Sequence, residues 1–202
     1  MPPPDGGAAA PDPIAPGPAP GGSLRAELAE ATRPAHQRLH RHKVLKRLFA
    51  VDLTQAEYLA ILDTYRSLYA AAEATRVASG RFQNLTLTPA LIALRRDGCE
   101  TSDQPAPDLA LTDDHQILGA LYVLHGARFG AQHMRRALRR SLPGATHHFF
   151  GLAPDPAQWA ALLGEIEALR PDPSAAARLV DGADRMFAAV HLAMTGLRSQ
   201  PR

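Results

Sequence analysis

Two stretches of this 202-residue chain carry residue types and spacings that a plain helical core does not need. The first is Glu30-Ala-Thr-Arg33-Pro-Ala-His36-Gln-Arg-Leu39. His36 lies beside an apolar stripe formed by Leu24, Leu28, Ala31, Ala35 and Leu39, so its imidazole is expected to point inward. There it can serve as a metal ligand or as a hydrogen-bonded interior residue. Arg33, one turn earlier, and Arg38 after it supply local base that could meet the carboxylates of a bound molecule. The second stretch runs Gly119-Ala-Leu-Tyr-Val-Leu-His-Gly126-Ala-Arg-Phe-Gly130. Each glycine inside a helix costs roughly 0.5–1 kcal/mol relative to alanine, so three of them need a reason. At 100° per residue Gly119, Gly126 and Gly130 fall on one narrow stripe, joined by Tyr122 and His133. Such a stripe lets a flat or bulky ligand, or simply another helix, approach the backbone closely.

The elements that position these residues are all helical. Capping and start signals place six helices. The first begins after Ser23, and the second opens on the capping box Thr54-Gln-Ala-Glu57. A short third starts at Thr88-Pro89, and a long fourth runs from the Thr112-Asp113-Asp114 cap to about Leu142. The last two start at Asp155-Pro156 and Asp172-Pro173. Residues 97–111 have no periodicity and read as a loop. With no strand pattern, the fold class is all-α, a single-domain multi-helix bundle over residues 23–198. Residues 1–22 are almost entirely Pro, Gly and Ala, and read as a disordered tail.

Composition narrows the classes further. With 22 basic and 20 acidic residues, bulk charge names no partner, and the Arg135-Arg136, Arg139-Arg140 group fits a solvated helix end better than a nucleic-acid face. No apolar run is long enough to span a membrane, and no signal peptide is evident, so a cytoplasmic location is expected. One cysteine, Cys99, excludes an internal disulfide and a cysteine-based zinc or iron–sulfur centre within one chain. Nine histidines make a metal or heme site worth testing.

Taken together, Ala-Thr-Arg33-Pro-Ala-His36-Gln-Arg-Leu39 and Leu121-Tyr-Val-Leu-His-Gly126-Ala-Arg-Phe-Gly130-Ala-Gln132 resemble the proximal and distal helices of bacterial heme oxygenases, of the biliverdin-producing branch associated with bacteriophytochromes. The aromatic pair Phe149-Phe150 follows in the expected place. The resemblance implies a heme oxygenase that uses heme as both substrate and cofactor, with O2 and electrons giving biliverdin, carbon monoxide and ferrous iron. It implies His36 as proximal iron ligand, with Gly126 and Gly130 as the catalytic stretch lying bare over the heme face. Arg33, Tyr122, Phe149 and Phe150 are implied as heme contacts, with Arg178 and Arg185 as further propionate candidates. An external electron donor, a reductase or ferredoxin-like protein, is implied because no nucleotide fingerprint is present. A bilin-binding photoreceptor is an implied downstream partner.

Four positions depart from the family pattern. His40 stands where an acidic residue commonly orients the proximal ligand, and His125 replaces a glutamate before the first distal glycine. Ala127 and Ala131 replace a polar residue and a glycine. These departures bear on turnover more than on fold. A non-catalytic heme carrier or sensor on the same fold is therefore the alternative. A heme-free relative, hydrolase or di-iron oxidase, would need an active Cys99, or interior carboxylates with partners such as the i, i+4 pair His36 and His40.

Overall fold

Five helices of the computed structural model open on a side chain that satisfies their first backbone N–H groups. The model describes residues 22–99, 107–170 and 172–197, so all but Gly22 of the expected tail lies outside the described residues. Ser23 caps α1 (Leu24–His40), Thr54 and Glu57 cap α3 (Gln55–Ser79) reciprocally, and Asp113 caps α5 (Asp114–Ser141). Asp155 and Asp172 cap α7 (Pro156–Ala168) and α8 (Pro173–Gly196), each just before a proline. Between them lie α2 (Lys43–Arg47), α4 (Thr88–Arg96) and α6 (His148–Gly151). No strand occurs among the described residues, so the all-α expectation holds.

The expected helices differ from the observed ones in two ways. Two short helices, α2 and α6, have five and four residues, too few for an apolar period to show. The cap of the long helix is Asp113, whose carboxylate accepts from His115 and Gln116 N–H; Thr112 instead donates to the Gln116 side chain. Asp97, inside the expected loop, is buried, and its carboxylate accepts from the N–H groups of His148 and Phe149 at 2.8 Å each. That contact anchors α6 to the end of α4.

The centre of the molecule is the first half of α5, where every residue from Gln116 to His125 is buried. Its principal neighbour is α8, which runs alongside it in the same direction, Asp113 pairing with Arg178 and Gln116 with Asp181. The two backbones meet at a double-glycine crossing. A Cβ on Gly119 would sit 2.1 Å from the Leu179 carbonyl oxygen, and one on Gly182 would sit 2.1 Å from that of Gln116. Gly119 therefore leaves the expected ligand stripe: its bareness serves helix packing. Helix α8 also packs against α1, and α7 packs against both α1 and α5, yet α1 and α5 make little direct contact. The opening helix and the central helix are thus held apart by α7 and α8.

Candidate functional site

His36 lies on the last turn but one of α1, one turn after Thr32, whose hydroxyl donates to the Leu28 carbonyl and is buried with it. Pro34 lacks an N–H, so the Glu30 carbonyl loses its helical partner one turn ahead of the imidazole. The His36 ring is half-buried, edge-on to Phe187 of α8 at 6.0 Å between centroids. Its Nε2 lies 3.1 Å from Nε2 of the exposed His40. His40 therefore meets the ring at Nε2, where a family acidic residue was expected to orient the second nitrogen. Arg33 is exposed and paired with Glu30 on its own helix.

On α5 the lower two glycines behave unlike Gly119. A Cβ on Gly130 would meet nothing within 4 Å, and one on Gly126 would meet only the tip of Trp159, at 3.9 Å. Trp159, the single tryptophan, stacks on Tyr122 at 5.7 Å and meets Phe129 edge-on at 5.0 Å. It comes from α7, whose Asp155 cap and Pro156 start fix where the indole falls. Sequence reasoning did not single out Trp159, since nothing in one chain's periodicity ties it to Gly126. Tyr122 is buried under this indole. Phe187 of α8 thus reaches His36, and Trp159 of α7 reaches Gly126 and Tyr122, so each bridging helix touches candidate residues.

Phe149 and Phe150 lie on a different flank of α5. Phe150 is almost wholly buried in the core, and Phe149 packs on Tyr65 and Tyr69 at 5.3 and 5.4 Å. With Ala127, Arg128, Ala131 and Met134 these rings enclose a cavity of about 30 Å³, room for one or two waters. The Tyr69 hydroxyl donates to the Leu124 carbonyl at 3.0 Å, and burial pushes its ionisation up to about 12. Arg128 is buried beside it, and its Nε finds no hydrogen-bond partner among the described residues. Ala127 and Ala131, two of the three distal departures, both face this cavity.

The remaining sequence candidates are engaged in structure-holding contacts. Arg178 donates to Ser174 and pairs with Asp113 at 3.4 Å, while Arg185 pairs with Asp181 at 2.7 Å and donates to the Ala110 carbonyl. His125 is buried with Nε2 3.2 Å from the Leu85 carbonyl, and burial lowers its protonation to about 4. It is a satisfied core histidine facing away from any ligand role. Glu57 bonds Arg47 and its own cap, and Glu73 bonds Arg76, Thr86, Thr88 and the Leu87 N–H. Cys99 is buried, with its thiol pushed up to about 11 by desolvation, which is poor for a nucleophile. No group of three or more His, Cys, Asp or Glu side chains placed to hold a metal occurs among the described residues. The di-iron and hydrolase readings lose their chemistry with these residues.

Comparisons with known proteins agree on the architecture. No protein-family model matches the chain, and no curated protein matches it in sequence. Solved structures do. Heme oxygenase-1 from the cyanobacterium Synechocystis, in complex with heme, superposes with a TM-score of 0.67 at 16% identity, covering 87% of this chain and 92% of that one. The NO- and CO-bound heme oxygenase from Neisseria meningitidis gives 0.64 at 18%, covering 86% and 91%. Heme oxygenase from Leptospira interrogans gives 0.67 at 16%, covering 86% and 99%. The chain has the heme oxygenase fold.

Proposed function

We propose that this chain binds heme between α1 and α5 and degrades it as a heme oxygenase. The observation that carries the reading is the contrast along one helix. Gly119 is sealed by the α8 backbone, whereas Gly126 and Gly130, on the same stripe, are not sealed by any backbone. Helical glycines that no neighbour requires, retained at a cost in helix stability, fit a face that something flat must approach. The donor set suits the group as well: a half-buried imidazole on α1 for iron and uncovered peptide on α5 for the ring face.

When bound, heme supplies both the iron that takes up oxygen and the ring that is opened to biliverdin, with electrons from a separate donor. The chain's own residues have narrower tasks. His36 would hold the iron, giving up its contact with His40 to do so. Gly126 and Gly130 would leave the α5 backbone free of side chains where the ring is received. Trp159 and Tyr122 close one edge of the slot, and Phe187 backs the His36 ring. Arg33, paired with the exposed Glu30, can turn to a propionate at small cost, because such surface pairs contribute about 0–1 kcal/mol. Phe149 and Phe150 support α5 from behind.

Hemin titration of the purified protein tests the reading. The expected result is a Soret band typical of a histidine-ligated ferric heme, with at least tenfold weaker binding in His36→Ala. An identical spectrum and affinity in that variant would move the ligand elsewhere. Ascorbate in air then separates degradation from carriage. An oxygenase bleaches its Soret band and gains far-red bilin absorption, whereas a carrier keeps the band. The carrier reading draws on one observation: both alanine departures line the rear cavity, leaving Arg128, Tyr65 and Tyr69 as its only polar side chains.

A further inference from the structure

We propose that His36 and His40 form a bidentate site for a divalent transition metal ion, and that this ion competes with heme for His36. The competition rests on the heme reading above; the chelate does not.

The two histidines are four residues apart on α1, the spacing that places side chains one above the other on a helix face. Their Nε2 atoms are 3.1 Å apart. Two imidazole nitrogens bound to one ion at about 2.0–2.1 Å, subtending about 90–109°, stand about 2.9–3.4 Å apart. The observed separation falls inside that window, so the rings need to turn but not to move apart. The ring centroids are 4.4 Å apart with the planes at 74°, an arrangement that keeps both nitrogens at one spot. His40 is exposed and His36 half-exposed, so an ion can arrive from solvent and complete its coordination with water. Phe187 packs against His36 from the interior side and restricts its rotation, which lowers the entropy lost on chelation.

Imidazole pairs favour borderline metals, with Cu²⁺ held most tightly and Ni²⁺ and Zn²⁺ more weakly. The neighbouring bases Arg33, Arg38 and Arg41 oppose a cation, so an exchangeable site is expected and not a permanent one. Because His36 has one Nε2, an ion held there and heme iron exclude each other. His40 thus gives the heme ligand a metal-sensitive partner.

The test uses the full chain without added histidines. Zn²⁺ titration by calorimetry is expected to show a site of one equivalent, and Cu²⁺ electron paramagnetic resonance two coupled nitrogens. His36→Ala and His40→Ala should each weaken Zn²⁺ binding at least tenfold. His191→Ala, which removes one ring from the separate His42–His191 contact, should leave it unchanged. Zn²⁺ at ten times its dissociation constant should weaken hemin binding about tenfold in the parent chain and not in His40→Ala. Undiminished Zn²⁺ binding by His40→Ala overturns the chelate. Zn²⁺ that binds through both histidines without affecting hemin overturns the competition. If hemin never binds while Zn²⁺ still requires both rings, the heme reading fails and the chelate stands.

Discussion

At the scale of single residues, the polar groups buried around α5 are the informative ones. His125 is held neutral by burial, its protonation lowered from the ordinary 6.5 to about 4. Between those values the unfolded chain takes up a proton that the folded chain refuses, so stability falls as pH drops through that window. The full effect of such a shift is about 3 kcal/mol. Glu73 acts in a lower window. Its bonds to Arg76 and the Leu87 N–H outweigh desolvation and hold it at about 2 instead of 4.5, so its contribution is lost only as pH falls from about 4.5 toward 2. Urea unfolding of His125→Gln should therefore show a much flatter stability between pH 6.5 and 4.5 than the parent, with the steeper loss below pH 4.5 intact. Equal slopes in the two proteins would place the sensitivity elsewhere. Arg128 invites the opposite experiment. A buried N–H without an acceptor costs about 1–3 kcal/mol, so Arg128→Met should raise the melting temperature by about 2–12 °C. A lower melting temperature would mean that the guanidinium's other nitrogens anchor it. Neither burial could be read from sequence: His125 was placed only as a departure before Gly126, and Arg128 was one arginine in a run of apolar neighbours.

At the scale of elements, one helix carries glycines that look identical in sequence and do opposite things. Gly119→Ala would drive a methyl carbon into the Leu179 carbonyl and part α5 from α8, costing about 3 kcal/mol or more, a fall of roughly 6–12 °C in melting temperature. Gly130→Ala meets open space and should stabilise α5 by about 0.5–1 kcal/mol, while weakening hemin binding. Thermal melts of the two variants, alone and with hemin, check both signs. If Gly130→Ala is stabilised and binds hemin unchanged, the bare face has no role in the slot. The 100° projection found the stripe and could not divide it, because whether a glycine is sealed depends on a helix more than fifty residues away. The capping signals fared better: Ser23, Thr54 with Glu57, Asp155 and Asp172 all start helices where local chemistry said they would. Those contacts are made within four residues, and a single chain displays them. Helix α6 escaped because its anchor, Asp97, lies fifty-one residues away from the His148 N–H it accepts.

At the scale of the whole molecule, the arrangement is two helices kept apart by two others. Because α8 and α7 each pack on both α1 and α5, the separation between α1 and α5 is set by those bridges and not by direct contact. The bundle class followed from helical periodicity alone, but the gap did not, since no sequence pattern reports the contact that two helices fail to make. The turns that the proposed heme site would join are loosely packed: a Cβ on Gly130 would meet nothing within 4 Å, and His36 and Phe129 are only partly buried. Amides in such turns should open at low free energy, and a ligand that binds only the closed form should protect them. Hydrogen exchange read by mass spectrometry is thus expected to slow on hemin addition in the last two turns of α1 and in the 126–133 portion of α5. The double-glycine crossing near Gly119 and Gly182, already sealed, should barely change. Protection confined to the Tyr65–Phe149 flank would put the ligand behind α5 instead, and the slot would then have no claim on it.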